Sequence, residues 1–536
     1  MHRRIAAQPK SIIDKAGRLS ATEQGWIMTK RLLIVSNHYP PNFVGGAEIV
    51  AHRQAKMLQK AGWRVRVFAG QAISTKEPVG EQPLYRDNYD GLDVVRLRYH
   101  PTYIGADFYD EEKALLFAGV LAAYRPNVVH FHNVTGLGAN LIGLAKESGA
   151  KVVVTLHDYW GFCFKNVLLR HDFSLCQDFD ECHLCKKKVT TPDGDLPIRL
   201  RRDYAMSCLG QADIYISPSK GLAANYAMAG LDADRIETIS SGIDISTIAT
   251  HPRARGAVAP IRFLCSSYLG EHKGILQLAE ALKLLWARQE LRGRWEMQIA
   301  GRGHLESFLR ERLAAAGLDK TVLLLGHVAR ENLLVRLQEA DAVVLASIWP
   351  ENEPVTLLEG IASGAALIAS RVGGNTDLVE HGVNGLLYEA HDPSALAAAM
   401  AEMIVDADRL ATFSRANLQR RPTLDETHAG RKIDAIYQRQ ILSRAHEDAI
   451  VVCGLATPSR KTVENIERAP ARLGGKRLRF IWWRWASSET LARAKHFWIW
   501  RLGWNPRRRN AARSWLGKAL TTKTFDVDDI LQNDGA

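Results

Sequence analysis

Two glutamates eight positions apart, Glu351 and Glu359, lie in the stretch DAVVLASIWPENEPVTLLEGIASGAALIAS. Ionised carboxylates accept hydrogen bonds and donate none, so such a pair can hold hydroxyl groups at two ends of one polar ligand. The apolar run Ala342 to Ala346 predicts a buried strand, and Leu357 to Ala366 predicts a helix packed beside it. The loop between them then lies at the carboxyl end of a parallel sheet, where α/β folds bind ligands. Pro354 fits the first helical position. The backbone N–H groups of Val355 and Thr356 point out of that helix N-terminus, ready for a diphosphate. Glu351 precedes these amides and Glu359 follows them by about 7.5 Å at the usual helical rise. Sugar, diphosphate and ribose of a nucleotide-sugar would be met in that order.

Other candidate groups also fall after strands. Lys273, in YLGEHKGI, suits a cation held against phosphate oxygens, although an exposed turn lysine would look the same. His157 and Asp158, in TLHDYW, end a strand and could hold a sugar hydroxyl or influence an acceptor proton. Gly45 and Gly46 open a helix after the first strand, where the missing side chain lets a ligand approach the backbone. Gly301 with Gly303, and Gly373 with Gly374, form two more glycine turns, each also readable as a tight connection. Cys163, Cys176, Cys182 and Cys185 cluster with His171 and His183, but only the last cysteine pair has the spacing of a metal knuckle. Two readings stay open for them, a structural zinc or unligated thiols.

The elements that must position these groups alternate strand and helix twice, which predicts two doubly wound parallel-sheet units. In the first half the strands are Arg31 to Ser36, Val65 to Ala69, Val94 to Leu97, Val128 to His132, Val152 to Leu156 and Ile214 to Ser217, with a helix from Ala47 to about Lys60. In the second they are Ile261 to Cys265, Met297 to Ala300, Val322 to Leu325, Ala342 to Ala346, Leu367 to Ala369 and Leu386 to Tyr388. Helices run from Ile275 to about Trp286 and from Glu426 to Leu442. The domains expected are a leader at 1–27, an N-terminal Rossmann-like domain at 28–250 with a cysteine-containing insertion at 160–200, a linker at 251–260, a C-terminal Rossmann-like domain at 261–445, and an extension at 446–536.

A chain of 536 residues, 46% hydrophobic and 24% charged, is too long for one ordinary core and too apolar to be disordered. No apolar run is long enough to span a bilayer and the first residues lack a secretory signal, so a cytoplasmic address is expected. Residues 471–520 hold thirteen Lys or Arg against the single acid Glu489, a surplus that equals the +12 of the whole chain. Seven of the thirteen tryptophans fall in the same stretch. Interleaved Trp and basic residues suit the headgroup level of an anionic membrane, hence a peripheral protein at the inner face of the plasma membrane. A basic appendage docked on the main body is the alternative. No nucleic-acid fold signature accompanies the charge, and no nucleic-acid partner is expected.

Taken in order, Gly45-Gly46, His157, the Lys273-Gly274 turn, the Gly301 turn, the glutamate pair and Gly373-Gly374 resemble the pattern of retaining glycosyltransferases of the GT-B fold, in the large family-4 group. The resemblance covers about residues 30–445. It implies that Glu359 binds the nucleotide ribose, that Glu351 holds the donor sugar near its reacting carbon, and that Lys273 neutralises the diphosphate leaving group. It also implies that His157 contacts the donor sugar and that Gly46 lets the first domain's loop close on the phosphates or acceptor. Tyr268 stands where the family often has an arginine, so that phosphate charge is absent or comes from Arg302 or His272. The expected activity is transfer of a sugar from a nucleotide-sugar to a lipid-linked or surface-polysaccharide acceptor, without a catalytic metal. A nucleotide-sugar epimerase of the same fold and a catalytically silent scaffold that binds an assembly partner are the competing readings.

Overall fold

The computed structural model describes residues 30–42, 45–80, 83–101, 109–191, 194–250 and 259–442. Beyond these it describes only the backbone of two strand pairs, Ile450–Gly454 with Leu478–Trp482 and Phe497–Trp500 with Leu520–Lys523. The leader, most of the linker and the remainder of the basic extension lie outside the described residues.

The first half builds an eight-stranded sheet from β1 (Arg31–Ser36), β2 (Arg64–Ala72), β3 (Leu84–Tyr89), β4 (Leu92–Tyr99), β5 (Val128–Asn133), β6 (Lys151–Thr155), β9 (Ile214–Ser217) and β10 (Ile236–Thr238). A small hairpin of β7 (Lys188–Thr191) and β8 (Gly194–Pro197) stands apart in the insertion. The strand order is β10-β9-β6-β5-β1-β2-β4-β3. Five of the six residues of β1 are buried, and Leu32 to Val35 among them form the unbroken apolar run required of a parallel strand covered on both faces. Only β3 is antiparallel, pairing with β4 across a hairpin whose corner residues Asp90 and Gly91 have φ of 50° and 74°. Asp-Gly favours that left-handed corner, and the dipeptide was the one sequence sign of this unforeseen edge strand.

The second half forms a six-stranded, all-parallel sheet from β11 (Ile261–Ser266), β12 (Trp295–Ala300), β13 (Val322–Gly326), β14 (Ala342–Leu345), β15 (Ala366–Ser370) and β16 (Gly385–Tyr388), in the order β13-β12-β11-β14-β15-β16. The expected helix from Leu357 to Ala366 is displaced: it spans Val355–Ser363, with Pro354 just before its first residue. Gly364, at φ 81°, ends it and releases Ala366 into β15.

The last helix, Glu426–Leu442, does not stay with the domain that precedes it in sequence. Its Ala429, Ile433, Ile436 and Tyr437 are buried in the N-terminal core with Leu32, Ala51, Ala55 and Trp63. Trp63 Nε1 donates to Asp434 Oδ1 at 2.7 Å, and the Tyr437 hydroxyl meets His130 Nδ1 at 2.5 Å. An amphipathic helix fits whichever sheet lacks cover, and its own sequence does not name that sheet. The helix thus lies within the 261–445 range expected for the C-terminal domain but packs on the core of the first.

Candidate active site

Each sheet reverses its strand order once where the chain crosses to the other side, between β1 and β5 in the first domain and between β11 and β14 in the second. The carboxyl ends of strands at such a reversal leave a crevice. In the second domain β11 leads into the turn Glu271–Lys273 and β14 leads into the Glu351 loop, so two segments distant in sequence converge. Lys273 Nζ donates to Glu351 Oε1 at 2.7 Å, and Ser347 Oγ donates to the same oxygen at 2.5 Å. The ammonium also lies 4.7 Å from the Trp349 ring centroid. Glu351 is only 5% exposed, so its charge depends on these partners.

Gly274 makes the convergence possible. It has φ 69°, and a Cβ there would stand 1.8 Å from the Ala346 carbonyl oxygen. Gly274→Ala is expected to lower stability by about 2–4 kcal/mol through backbone strain and displacement of this turn. A Cβ on Gly46 meets nothing within 4 Å, so Gly46→Ala should stay within about 0.5 kcal/mol of the parent. Thermal denaturation of the two variants side by side checks both.

Glu359 is likewise 5% exposed and accepts from Arg330 Nη1 at 2.6 Å. Beside this part of the sheet a cavity of about 590 Å³ is lined by residues including Ser266, Tyr268, Gly301, Arg302, His304 and His327. The helix N-terminus at Val355 and Thr356 adjoins it, and the Thr356 hydroxyl donates to the Ser266 carbonyl at 3.0 Å. Tyr268 carries no charge here; its hydroxyl meets His304 Nδ1 at 3.2 Å, and His304 Nε2 meets Glu271 at 2.6 Å. Of the two cations considered in its place, Arg302 lines the cavity, while burial lowers the pKa of His272. Gly374 serves the loop: its N–H donates to the Glu351 carbonyl, and a Cβ would lie 2.0 Å from Asn352 O.

The first domain presents its own strand ends to this loop. Asn352 Nδ2 donates to the His157 carbonyl at 2.6 Å, and the Tyr159 hydroxyl donates to Pro350 O at 3.1 Å. His157 is therefore tied to the residue next to Glu351, although 195 positions separate the two partners. Burial holds the His157 ring neutral, with its pKa pushed down to about 4, and lifts the Asp158 carboxyl to about 6. Glu48, in the first turn of the helix Gly46–Lys60, accepts from the Gly45 N–H at 2.8 Å and closes that glycine turn. Around the junction, the buried Ser36 Oγ, Asn37 Oδ1, His132 Nε2, Thr135 Oγ1 and Asn352 Oδ1 have no hydrogen-bond partner. Ser347, Arg330, Asn352 and His132 were not foreseen, because no spacing rule marks a residue whose partner is remote in sequence.

Two family models match the chain in succession: Glycosyltransferase Family 4 over residues 44–247 and Glycosyl transferases group 1 over residues 251–420. The chain belongs to these GT-B glycosyltransferases. Among its relatives is the amylovoran biosynthesis glycosyltransferase AmsK of Erwinia amylovora, 30% identical over 204 residues, which are 37% of this chain and 49%, about half, of that relative. The D-inositol 3-phosphate glycosyltransferase of Pseudarthrobacter chlorophenolicus is 26% identical over 68% of this chain and 84% of its own length. Among solved structures, Anabaena HepE in complex with UDP superposes with a TM-score of 0.56 at 18% identity, covering 76% of this chain and all of its own.

In this glycosyltransferase the four cysteines of the insertion lie near enough to one another to interact electrostatically. Among the described residues no three His, Cys, Asp or Glu side chains are placed to hold an ion. The thiols instead donate to carbonyls, Cys176 to Asp178 O at 3.3 Å and Cys182 to Phe179 O at 3.4 Å, while Cys163 packs against the core. Burial pushes the Cys182 thiol up to about 11 and raises Cys176 as well, and the neighbouring thiols of the cluster add to both shifts.

Glu353 links the glycosyltransferase's domains by accepting from the Ser241 N–H at 2.8 Å. Burial, chiefly, raises its carboxyl to about 7. The folded state thus holds a proton that the unfolded chain releases near its ordinary value, and stability falls as pH rises from about 4.5 through about 7. Glu353→Gln is expected to be more stable than the parent above pH 7 by roughly 2 kcal/mol, with the difference vanishing near pH 4.5. Melting temperatures of both proteins at pH 5 and pH 8 test this.

Proposed function

We propose that the protein is a retaining, hexosyltransferase-like enzyme that moves a sugar from a nucleotide-sugar donor to a lipid-linked or surface-polysaccharide acceptor. The observation that carries this reading is the placement of two nearly buried, cation-paired glutamates on one loop and helix, beside a cavity of about 590 Å³ and opposite His157. The AmsK relative, with amylovoran biosynthesis in its name, supports a polysaccharide acceptor. The UDP in the HepE crystals supports a nucleoside diphosphate leaving group.

In the proposed mechanism the bond from the anomeric carbon to the diphosphate oxygen breaks as the acceptor oxygen bonds to that carbon. Positive charge develops on the sugar and negative charge on the phosphate. Lys273 and the amides of Val355 and Thr356 offset the negative charge, and Glu351 faces the positive one. The departing phosphate takes the acceptor's proton, so no further base is required. Glu359 accepts from the ribose hydroxyls, and the nucleobase occupies the cavity beside Tyr268 and Arg302. Domain closure excludes water and limits hydrolysis.

Thermal stabilisation by a panel of nucleotide-sugars, followed by transfer assays with lipid extracts, tests the reading. Nucleoside diphosphate released only with acceptor present supports transfer; a changed donor with no release points to epimerisation, and binding with neither points to a scaffold. No helix among the described residues is long and apolar enough to cross a membrane. Membrane attachment is assigned to the basic Trp-rich stretch, 471–520. Deleting 471–536 should preserve turnover of soluble donor and release the protein from anionic vesicles, and unchanged vesicle binding rejects that assignment.

A further inference from the structure

We infer that His132 is a positioning residue that fixes the tautomer of His157, making His157 a hydrogen-bond donor at Nδ1 toward the cleft. His132 lies in β5, fully buried, with its Nδ1 2.9 Å from His157 Nε2. The two ring centroids lie 5.1 Å apart with the rings 23° from parallel, so they meet edge to edge along this contact, and the His130 ring centroid lies 4.4 Å from that of His132. His130 is itself held at both nitrogens, by the Tyr437 hydroxyl and by Thr155 Oγ1. The three rings are thus fixed from the last helix, Glu426–Leu442, at one end to the cleft at the other.

The contact between His132 and His157 joins two neutral rings, since burial keeps both from being protonated near neutral pH. One nitrogen of the pair must therefore donate and the other accept, which allows two arrangements. If His157 Nε2–H donates, the proton of His132 sits on Nε2, a buried atom with no partner. If His132 Nδ1–H donates, that same Nε2 is a bare lone pair. A buried unpaired N–H is rarer and costlier than an unpaired acceptor. The second arrangement is favoured, and it puts the proton of His157 on Nδ1. Among the described residues no group accepts from Nδ1, and unlike His132 Nε2 it is not among the sealed polar atoms, so it faces the space where a ligand would lie.

The chemistry this serves is donation to a hydroxyl of the donor sugar, and that part rests on the proposed transfer reaction. A ring in the other tautomer would offer only a lone pair there. Because His157 O is held by Asn352 of the opposite domain, the donor is available when the two domains meet.

Two variants and one spectrum test the inference. His132→Phe keeps a flat ring but removes the donor; His132→Asn retains an amide N–H near the position of Nδ1. The expected result is a loss of roughly 10- to 100-fold in kcat/KM for His132→Phe. Recovery to within about threefold is expected for His132→Asn, with nucleoside diphosphate affinity unchanged in both. Equal losses in the two variants, or full activity of His132→Phe, would overturn it. Nitrogen-15 shifts of the histidine rings in the unmodified protein read the tautomer without any assay: His157 protonated at Nε2 sinks the inference even if transfer is observed. His157 protonated at Nδ1 with no transfer activity would instead refute the proposed reaction and leave the tautomer assignment standing.

Discussion

Glu351→Gln should reduce the rate of sugar transfer by about 10²–10³-fold while the protein stays folded. Glutamine matches glutamate in shape, and Ser347 Oγ can still donate to its amide oxygen, so the loop keeps its path. What disappears is the negative charge. Lys273 then faces a neutral partner with only the Trp349 ring for compensation, and the carbon that becomes positive in the transition state loses its nearby carboxylate. An interaction that matters mainly in the transition state appears in kcat, so donor affinity should change only a few-fold. Single-turnover transfer together with donor titration separates the two quantities. A rate within tenfold of the parent would show that this carboxylate does not serve the reacting carbon.

Glu359→Ala should act on the other parameter, raising the donor KM by about 30- to 150-fold, equivalent to roughly 2–3 kcal/mol, with kcat within a few-fold. Glu359 is nearly buried and has one oxygen on Arg330, so removing it deletes the hydroxyl acceptor and leaves that guanidinium without its carboxylate partner. The group it addresses is bound equally before and during reaction, which is why binding suffers and turnover does not. A donor lacking the ribose hydroxyls should bind the parent about as weakly as the complete donor binds the variant, and it should lose little more in Glu359→Ala. If the modified donor and the variant weaken binding independently, Glu359 does not hold the ribose.

Much of the strand and helix pattern could be read in advance because it depends on short-range order. Within the β1 segment RLLIVS, Leu32 to Val35 are apolar without a break, and Ile214–Ser217 and Glu426–Leu442 have the limits their sequences suggest. The errors are of two kinds. Gly364-Ala365 is small and apolar and lets the helix after Glu351 read on to Ala366, whereas the left-handed φ of Gly364 ends it at Ser363. The edge strand Leu84–Tyr89 was missed because its alternating LYRDNY lacks the unbroken apolar run of the inner strands.

The chain alone determined that two glutamates flank a helix N-terminus at the end of a buried strand, since spacing along a helix or strand is a local property of the backbone. It also determined that a lysine turn and a histidine end other strands. Only the tertiary structure decided that Lys273 meets Glu351 across 78 residues, that Arg330 meets Glu359 across 29, and that His132 meets His157 across 25. It likewise decided that the final helix covers the first domain. These pairings follow from strand order and from which apolar face remains uncovered, which are set by the lowest-energy packing of all the elements together and leave no mark at either partner's own position.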